Sequence, residues 1–126
     1  MQSINKKNVI SNTLVIKKST FTSFIYEIHN KQELEKFLTD FSDSKAAHNC
    51  YAYKFIDQQE HGGMNDDGEP KNTAGKPIFN VIEKSQINNV CILVVRKYGG
   101  LKLGAGPLTR AYVKAASEVV KKFKMM

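Results

Sequence analysis

Val90-Cys-Ile-Leu-Val-Val-Arg-Lys-Tyr-Gly-Gly-Leu-Lys-Leu-Gly-Ala-Gly-Pro-Leu-Thr-Arg-Ala-Tyr112 is the stretch on which the reading of this chain turns. Its first six residues are apolar without interruption, which suits a central strand covered on both faces. Four of the chain's eight glycines follow, between Gly99 and Gly106, and a helical pattern starts immediately after them. A strand, a glycine loop and a helix N-terminus in that order can hold an anion on backbone N–H groups. Arg96, Lys97, Lys102 and Arg110 add four cations to the same stretch. Neither G-x-x-x-x-G-K-[ST] nor G-x-G-x-x-G is present, so a tight strand-to-helix connection competes with phosphate binding. Pro107 presets the first helical turn.

Downstream, the pattern predicts a helix from Pro107 to about Lys124. At 100° per residue, Leu108, Tyr112, Ala115, Val119 and Phe123 share one side. Arg110, Lys114, Ser117, Lys121 and Lys124 fall opposite, a basic stripe that reads either as a solvated face or as a nucleic-acid contact. Upstream, residues 1–12 read as a polar lead-in. Leu14 to Ile16 and Phe21 to His29 read as short strands, with Phe24, Tyr26 and Ile28 on one face. Asn30-Lys-Gln-Glu33 resembles a capping box for an amphipathic helix marked by Leu34, Phe37, Leu38 and Phe41. His48 to Ile56 is an aromatic strand. Asp57 to Asn72 then forms a long polar segment, long enough to be functional, with room for a hairpin strand. A second helix opens at Thr73, which can cap it, with Pro77 in the first turn.

Composition narrows the options. The chain has 126 residues, 41% of them hydrophobic, in the range of an ordinary globular domain. No apolar run is long enough to span a bilayer, and the N-terminus lacks a signal-peptide core, so a cytoplasmic location is expected. Cys50 and Cys91 belong to no C-x-x-C pair and read as reduced core thiols. Nineteen Lys plus Arg against twelve Asp plus Glu give a net charge of +7, favouring an acidic partner.

Two further clusters are candidates for chemistry. Asn65-Asp-Asp-Gly-Glu-Pro70 groups three carboxylates without calcium-loop spacing, so no metal is expected. A role in placing this loop against the glycine segment fits better. His48 and Cys50 share a strand face, but no orienting acid or oxyanion hole accompanies them by spacing.

Taken together, several pieces are similar to the IMPACT family, including its YigZ-like bacterial members. They are Lys18-Ser-Thr-Phe21, Ala47-His-Asn-Cys-Tyr-Ala-Tyr53, Asp66-Asp-Gly-Glu-Pro70, Thr73-Ala-Gly-Lys-Pro77, Val94 to Gly106 and Leu108-Thr-Arg-Ala-Tyr112. Asn72 stands where the family usually has Gly, Lys97-Tyr98 where it has Tyr-Phe or Trp-Tyr, and Pro107 where a third loop glycine is common. The resemblance implies an α+β two-layer sandwich, a mostly antiparallel sheet of about four strands with helices on one face. That fold is like the second domain of small-subunit ribosomal protein five and domain IV of elongation factor G. The expected organisation is one IMPACT-type domain over residues 1–126, without the second ferredoxin-like domain that many bacterial relatives add. Eukaryotic relatives regulate translation by interfering with activation of an initiation-factor kinase through protein contacts.

The leading expectation is a non-enzymatic, translation-associated module that binds RNA or the ribosome. Arg96, Lys97, Lys102, Arg110, Lys114 and Lys121 would meet phosphates, Tyr98 or Tyr53 would stack on a base, and Gly99, Gly100, Gly104 and Gly106 would let the backbone approach. A polar site is expected from His48, Asp66, Asp67, Glu69, Thr73 and Lys76, with no cofactor. Two alternatives stay open: an enzyme acting on a small phosphorylated substrate or nucleotide, and a regulator that works through protein contacts alone.

Overall fold

A strand without polar interruption needs cover on both faces, and Val90–Lys97 lies in the middle of the sheet. The computed structural model describes residues 4–126, so the first three residues of the expected lead-in lie outside it. In chain order the elements are β1 (Ile10–Ile16), β2 (Ser19–Glu27), α1 (Lys31–Phe41), β3 (His48–Asp57), β4 (Gln59–Asn65), α2 (Gly75–Lys84), β5 (Val90–Lys97) and α3 (Ala105–Lys124). A short 3-10 turn at Lys6–Asn8 precedes them. The five strands form one antiparallel sheet in the order β1-β2-β5-β3-β4.

Alternate residues of β5 divide between two cores. Val90, Ile92 and Val94 pack with α2 and α3, through Ile78, Ile82, Tyr112 and Val119. Cys91, Leu93 and Val95 pack on the other face with Leu34 and Phe37 of α1. Each large apolar side chain sealed in this way stabilises the fold by about 1.5–3 kcal/mol. The expected cap on α1 is present: Asn30 Oδ1 accepts the N–H of Glu33 at 2.8 Å. Glu33 in turn accepts the N–H of His29 at 2.7 Å, one residue before the cap.

The α+β antiparallel layout matches the expectation, with three differences. The sheet has five strands, not about four, and α1 covers the face opposite α2 and α3. Ile10, Ser11 and Asn12, assigned to the polar lead-in, belong to β1, an edge strand whose burial alternates regularly but whose apolar pattern is broken by Asn12 on the half-buried side and Val15 on the exposed side. The fifth strand, β4, is the hairpin strand for which the long polar segment had room, and it takes up much of that segment. Its glycines hide it from strand propensity, and a Cβ on Gly63 would lie 2.6 Å from the Tyr53 hydroxyl, so a larger residue there has to displace that ring.

Thr73 does not cap α2. Its hydroxyl donates to the Pro70 carbonyl, and the helix starts at Gly75 with no side-chain bond from the cap position, Ala74. The capping group comes from Asp66. One of its oxygens accepts the N–H groups of Ala74 (3.1 Å) and Gly75 (2.8 Å), and the other that of Asn72 (2.9 Å). Asn72 holds a left-handed backbone, φ 65°, which Asn tolerates better than most residues. It therefore serves at a position where glycine would be the default.

Partial burial pushes the Asp66 carboxyl up, but the three backbone donors outweigh it and hold the group below its ordinary 3.8. A carboxylate depressed in the folded state adds stability above its unfolded value, and that stability is lost as pH falls through the folded value. Asp66→Ala should cost about 1–2 kcal/mol in urea unfolding at pH 7. The gap between wild type and variant should narrow as pH drops below 3.8. A gap that stays constant down to pH 2 would show that the charged form is not what caps the helix.

Candidate functional site

Where β5 runs out, Arg96 turns its guanidinium inward. Only 6% of this residue is exposed, and Glu69 is exposed by 7%. A buried charge needs a partner, and the two residues supply each other's. Arg96 Nη1 donates to both carboxylate oxygens of Glu69, at 3.1 and 2.9 Å, and Nε donates to Ser19 Oγ at 3.2 Å. The guanidinium carbon lies 5.5 Å from the Phe21 ring centre and 5.6 Å from that of Tyr98, within cation–π range.

The carboxylate has two more neighbours. The Tyr112 hydroxyl, reaching down from α3, donates to Glu69 Oε2. His48 Nε2 lies 3.3 Å from Oε1, and the other ring nitrogen is 2.8 Å from the Asp67 carbonyl, so both nitrogens face oxygen acceptors. Burial, with the Cys50 and Glu69 neighbours, pushes the Tyr112 phenol up, and it stays a donor. The Cys50 thiol donates to the Asp66 carbonyl at 3.1 Å and lies 3.4 Å from the Tyr112 hydroxyl. Burial, opposed by that hydroxyl and aided by the nearby carboxylates, pushes Cys50 up to about 12. A thiol held there is a poor nucleophile at neutral pH, and Asp66 is occupied as a helix cap.

The residues expected to meet phosphates therefore separate into groups. Arg96 is inside, neutralised by Glu69. Lys97 is exposed and paired with Asp43 at 3.2 Å. Lys102, Arg110 and Lys114 are exposed and form no ion pair among the described residues. The polar set separates too: His48, Asp67 and Glu69 meet at the cluster, Thr73 closes the turn below it, and Lys76 lies exposed in the first turn of α2. No group of three or more His, Cys, Asp and Glu able to hold a metal occurs among the described residues.

Steric reasons account for two of the four loop glycines. A Cβ on Gly99 would sit 1.8 Å from the Lys18 carbonyl oxygen in the β1–β2 turn. Gly100 needs its φ of 95°, though nothing lies within 4 Å of its missing side chain. Beyond them, Gly104 and Gly106 are exposed and open the N-terminus of α3. A cleft of about 440 Å³ lies between this loop and the cluster. His48, Glu69 and Arg96 line one side of it, and Tyr98, Lys102 and Leu103 another. Sequence reasoning missed Ser19 and the polar role of Tyr112, which looked like one more apolar position on its helix. The only available signal was a hydroxyl on a face destined for burial, which needs a partner.

Removing one member of a buried pair strands the other's charge. Glu69→Ala should cost about 3–5 kcal/mol, and Tyr112→Phe, which removes one donor to the carboxylate, about 1.5–3 kcal/mol. Urea unfolding at pH 7 measures both, and a loss below about 1 kcal/mol for Glu69→Ala would mean the pair is hydrated. Gly99→Ala should destabilise more than Gly100→Ala, because only the former drives a methyl group into backbone.

Comparison with known proteins places these residues in context. Residues 17–120 match the Impact N-terminal domain. The IMPACT family member YvyE of Bacillus subtilis is 40% identical over 107 residues, 83% of this chain and 49% of the relative. YigZ of Escherichia coli is 35% identical over 101 residues, 77% of this chain and 50% of the relative. The chain thus spans about half the length of these curated relatives. Of solved structures, one described as a hypothetical protein superposes with a TM-score of 0.79 at 30% identity, over 90% of this chain and 57% of that one. The two-domain translational regulator Yih1 superposes at 0.64 with 22% identity, over 96% of this chain and 49% of its own, which shows a shared fold. No helix among the described residues is long and apolar enough to cross a membrane. Ser19, His48, Glu69, Arg96 and Tyr112 all fall within the matched range, and the chain that buries them together belongs to the IMPACT family.

Proposed function

We propose that this domain is a non-enzymatic, translation-associated regulatory module that binds RNA, free or in the ribosome, through the exposed glycine loop and the basic wall of α3. The observation that carries the reading is the row Arg110, Lys114 and Lys121. All three are exposed and none has an acidic partner among the described residues. Lys102 extends the row onto the loop. Unpaired cations in a line are what a phosphate backbone meets without first breaking an ion pair. The description of Yih1 as a translational regulator supports the setting.

The burial of Arg96 reduces the contact set. It is a structural residue in this reading, and Lys97 contributes only by exchanging Asp43 for a phosphate. Of the two aromatic candidates, Tyr98 is half exposed with the Arg96 guanidinium 5.6 Å from its ring centre, whereas Tyr53 is stacked with both Tyr51 and Phe55.

Four phosphate contacts to a single strand give a slope of about −3 in log K against log salt. Fluorescence anisotropy with a 12-nucleotide RNA across a salt series measures it. Arg110→Ala combined with Lys114→Ala should weaken binding and reduce the slope by about 1.5. A slope near zero, or a double variant that binds like wild type, would overturn the proposal.

A further inference from the structure

The cleft beside the buried pair has properties that the basic wall does not need. Its volume of about 440 Å³ lies in the range of small-molecule sites, about 300–1,000 Å³. Pro70, Leu103 and Leu108 give it an apolar side, and the half-exposed ring of Tyr98 stands at its rim. A surface used only for phosphate contact gains nothing from such walls.

At the other side, one donor is left over. Arg96 is more than nine-tenths buried, with Nη1 held by Glu69 and Nε by Ser19. Nη2 has no acceptor among the described residues and is not sealed from solvent. Arg96 lines the cleft, so a ligand there meets a guanidinium donor held rigid by its other bonds. Charge–charge hydrogen bonds of this kind are the stronger class.

Glu69 also lines the cleft, and its charge cancels that of Arg96. The net positive charge comes from Lys102, exposed and without an ion pair among the described residues. Next to Leu103 the N-terminus of α3 adds the N–H groups of Ala105 and Gly106, which have no side-chain cap among the described residues. The first turn of that helix carries no acidic side chain.

We infer that this cleft binds a phosphate monoester of mononucleotide size, its phosphate on Arg96 Nη2 and Lys102 and its apolar body against Pro70, Tyr98 and Leu103. The site shares Lys102 and Tyr98 with the RNA contact set but takes no residue from the Arg110, Lys114 and Lys121 row, and it stands if the RNA reading fails. Two sources share this chemistry, a free mononucleotide and a terminal nucleotide of a bound strand.

The test is an amide-resolved NMR titration of the full chain, at constant ionic strength, with adenosine 5′-monophosphate, uridine 5′-monophosphate, adenosine and inorganic phosphate. At least one monophosphate should shift the Glu69, Tyr98, Lys102 and Leu103 amides and the Arg96 side-chain N–H in a saturable way. Adenosine and phosphate alone should bind about tenfold more weakly or worse. Lys102→Ala and Tyr98→Ala, both at exposed positions, should each weaken the monophosphate by about tenfold. Arg110→Ala with Lys114→Ala should leave it within about twofold, which separates this site from the RNA wall. A 12-nucleotide RNA with a terminal phosphate that displaces the monophosphate identifies a strand end as an occupant. RNA that binds without displacing it assigns the cleft to a free metabolite. Shifts confined to Arg110 and Lys114, unchanged affinity in the Lys102 and Tyr98 variants, or no saturable shift with either monophosphate would overturn the inference.

Discussion

Glu69 and Arg96 neutralise each other in a largely buried position at the floor of a cleft, and much of the surrounding architecture follows from keeping them paired. An isolated charge at either position would carry a desolvation cost of several kcal/mol. The pair therefore ties the segment after β4 to the end of β5, across 27 residues of sequence. Ser19 from β2, His48 from β3 and Tyr112 from α3 complete the shell, so β2, β3, β5, α3 and the 66–72 turn converge on one carboxylate and one guanidinium. Asp66 holds the same turn from below by capping α2. The acidic run thus divides its work: Asp66 fixes a helix, Asp67 fixes His48 and Asn49, and Glu69 closes the pair.

That division changes the meaning of the glycine segment. Its first two glycines are explained by packing and backbone conformation, one against the β1–β2 turn and one at a positive φ. The part free to meet a ligand is the later one, Lys102 to Gly106, where the helix begins without a cap. Basic charge is distributed in the same way. The most strand-like cation, Arg96, has its charge neutralised by Glu69 at the cleft floor, and the exposed cations lie on the loop and along α3.

Much of the fold was legible. An unbroken apolar run at Val90 to Val95 has few stable solutions other than a central strand, and the spacings in α1 and α3 repeat with the helical period over several turns. The Asn30 cap was equally local. Less was legible at β4, where glycines and polar residues leave no alternation to detect, and at the start of α2, where the capping carboxylate comes from eight residues before the helix's first cap position. The cluster was half legible: the motifs that meet there stood out, but not the partners they chose. Nothing in the spacing of Arg96 distinguishes an exposed phosphate contact from a buried ion pair.

Alone, the sequence determined the central strand, the two long amphipathic helices, the excess of positive charge and the family, because each rests on periodicity, composition or a run of motifs in order. Tertiary structure alone decided which charges remain available. Whether Arg96 is neutralised, whether Tyr112 is an apolar filler or a hydrogen-bond donor, and whether a cleft opens beside them depend on residues far apart in the chain. Coulomb energy and desolvation are set by distance and burial in space, and those quantities exist only once the chain has folded.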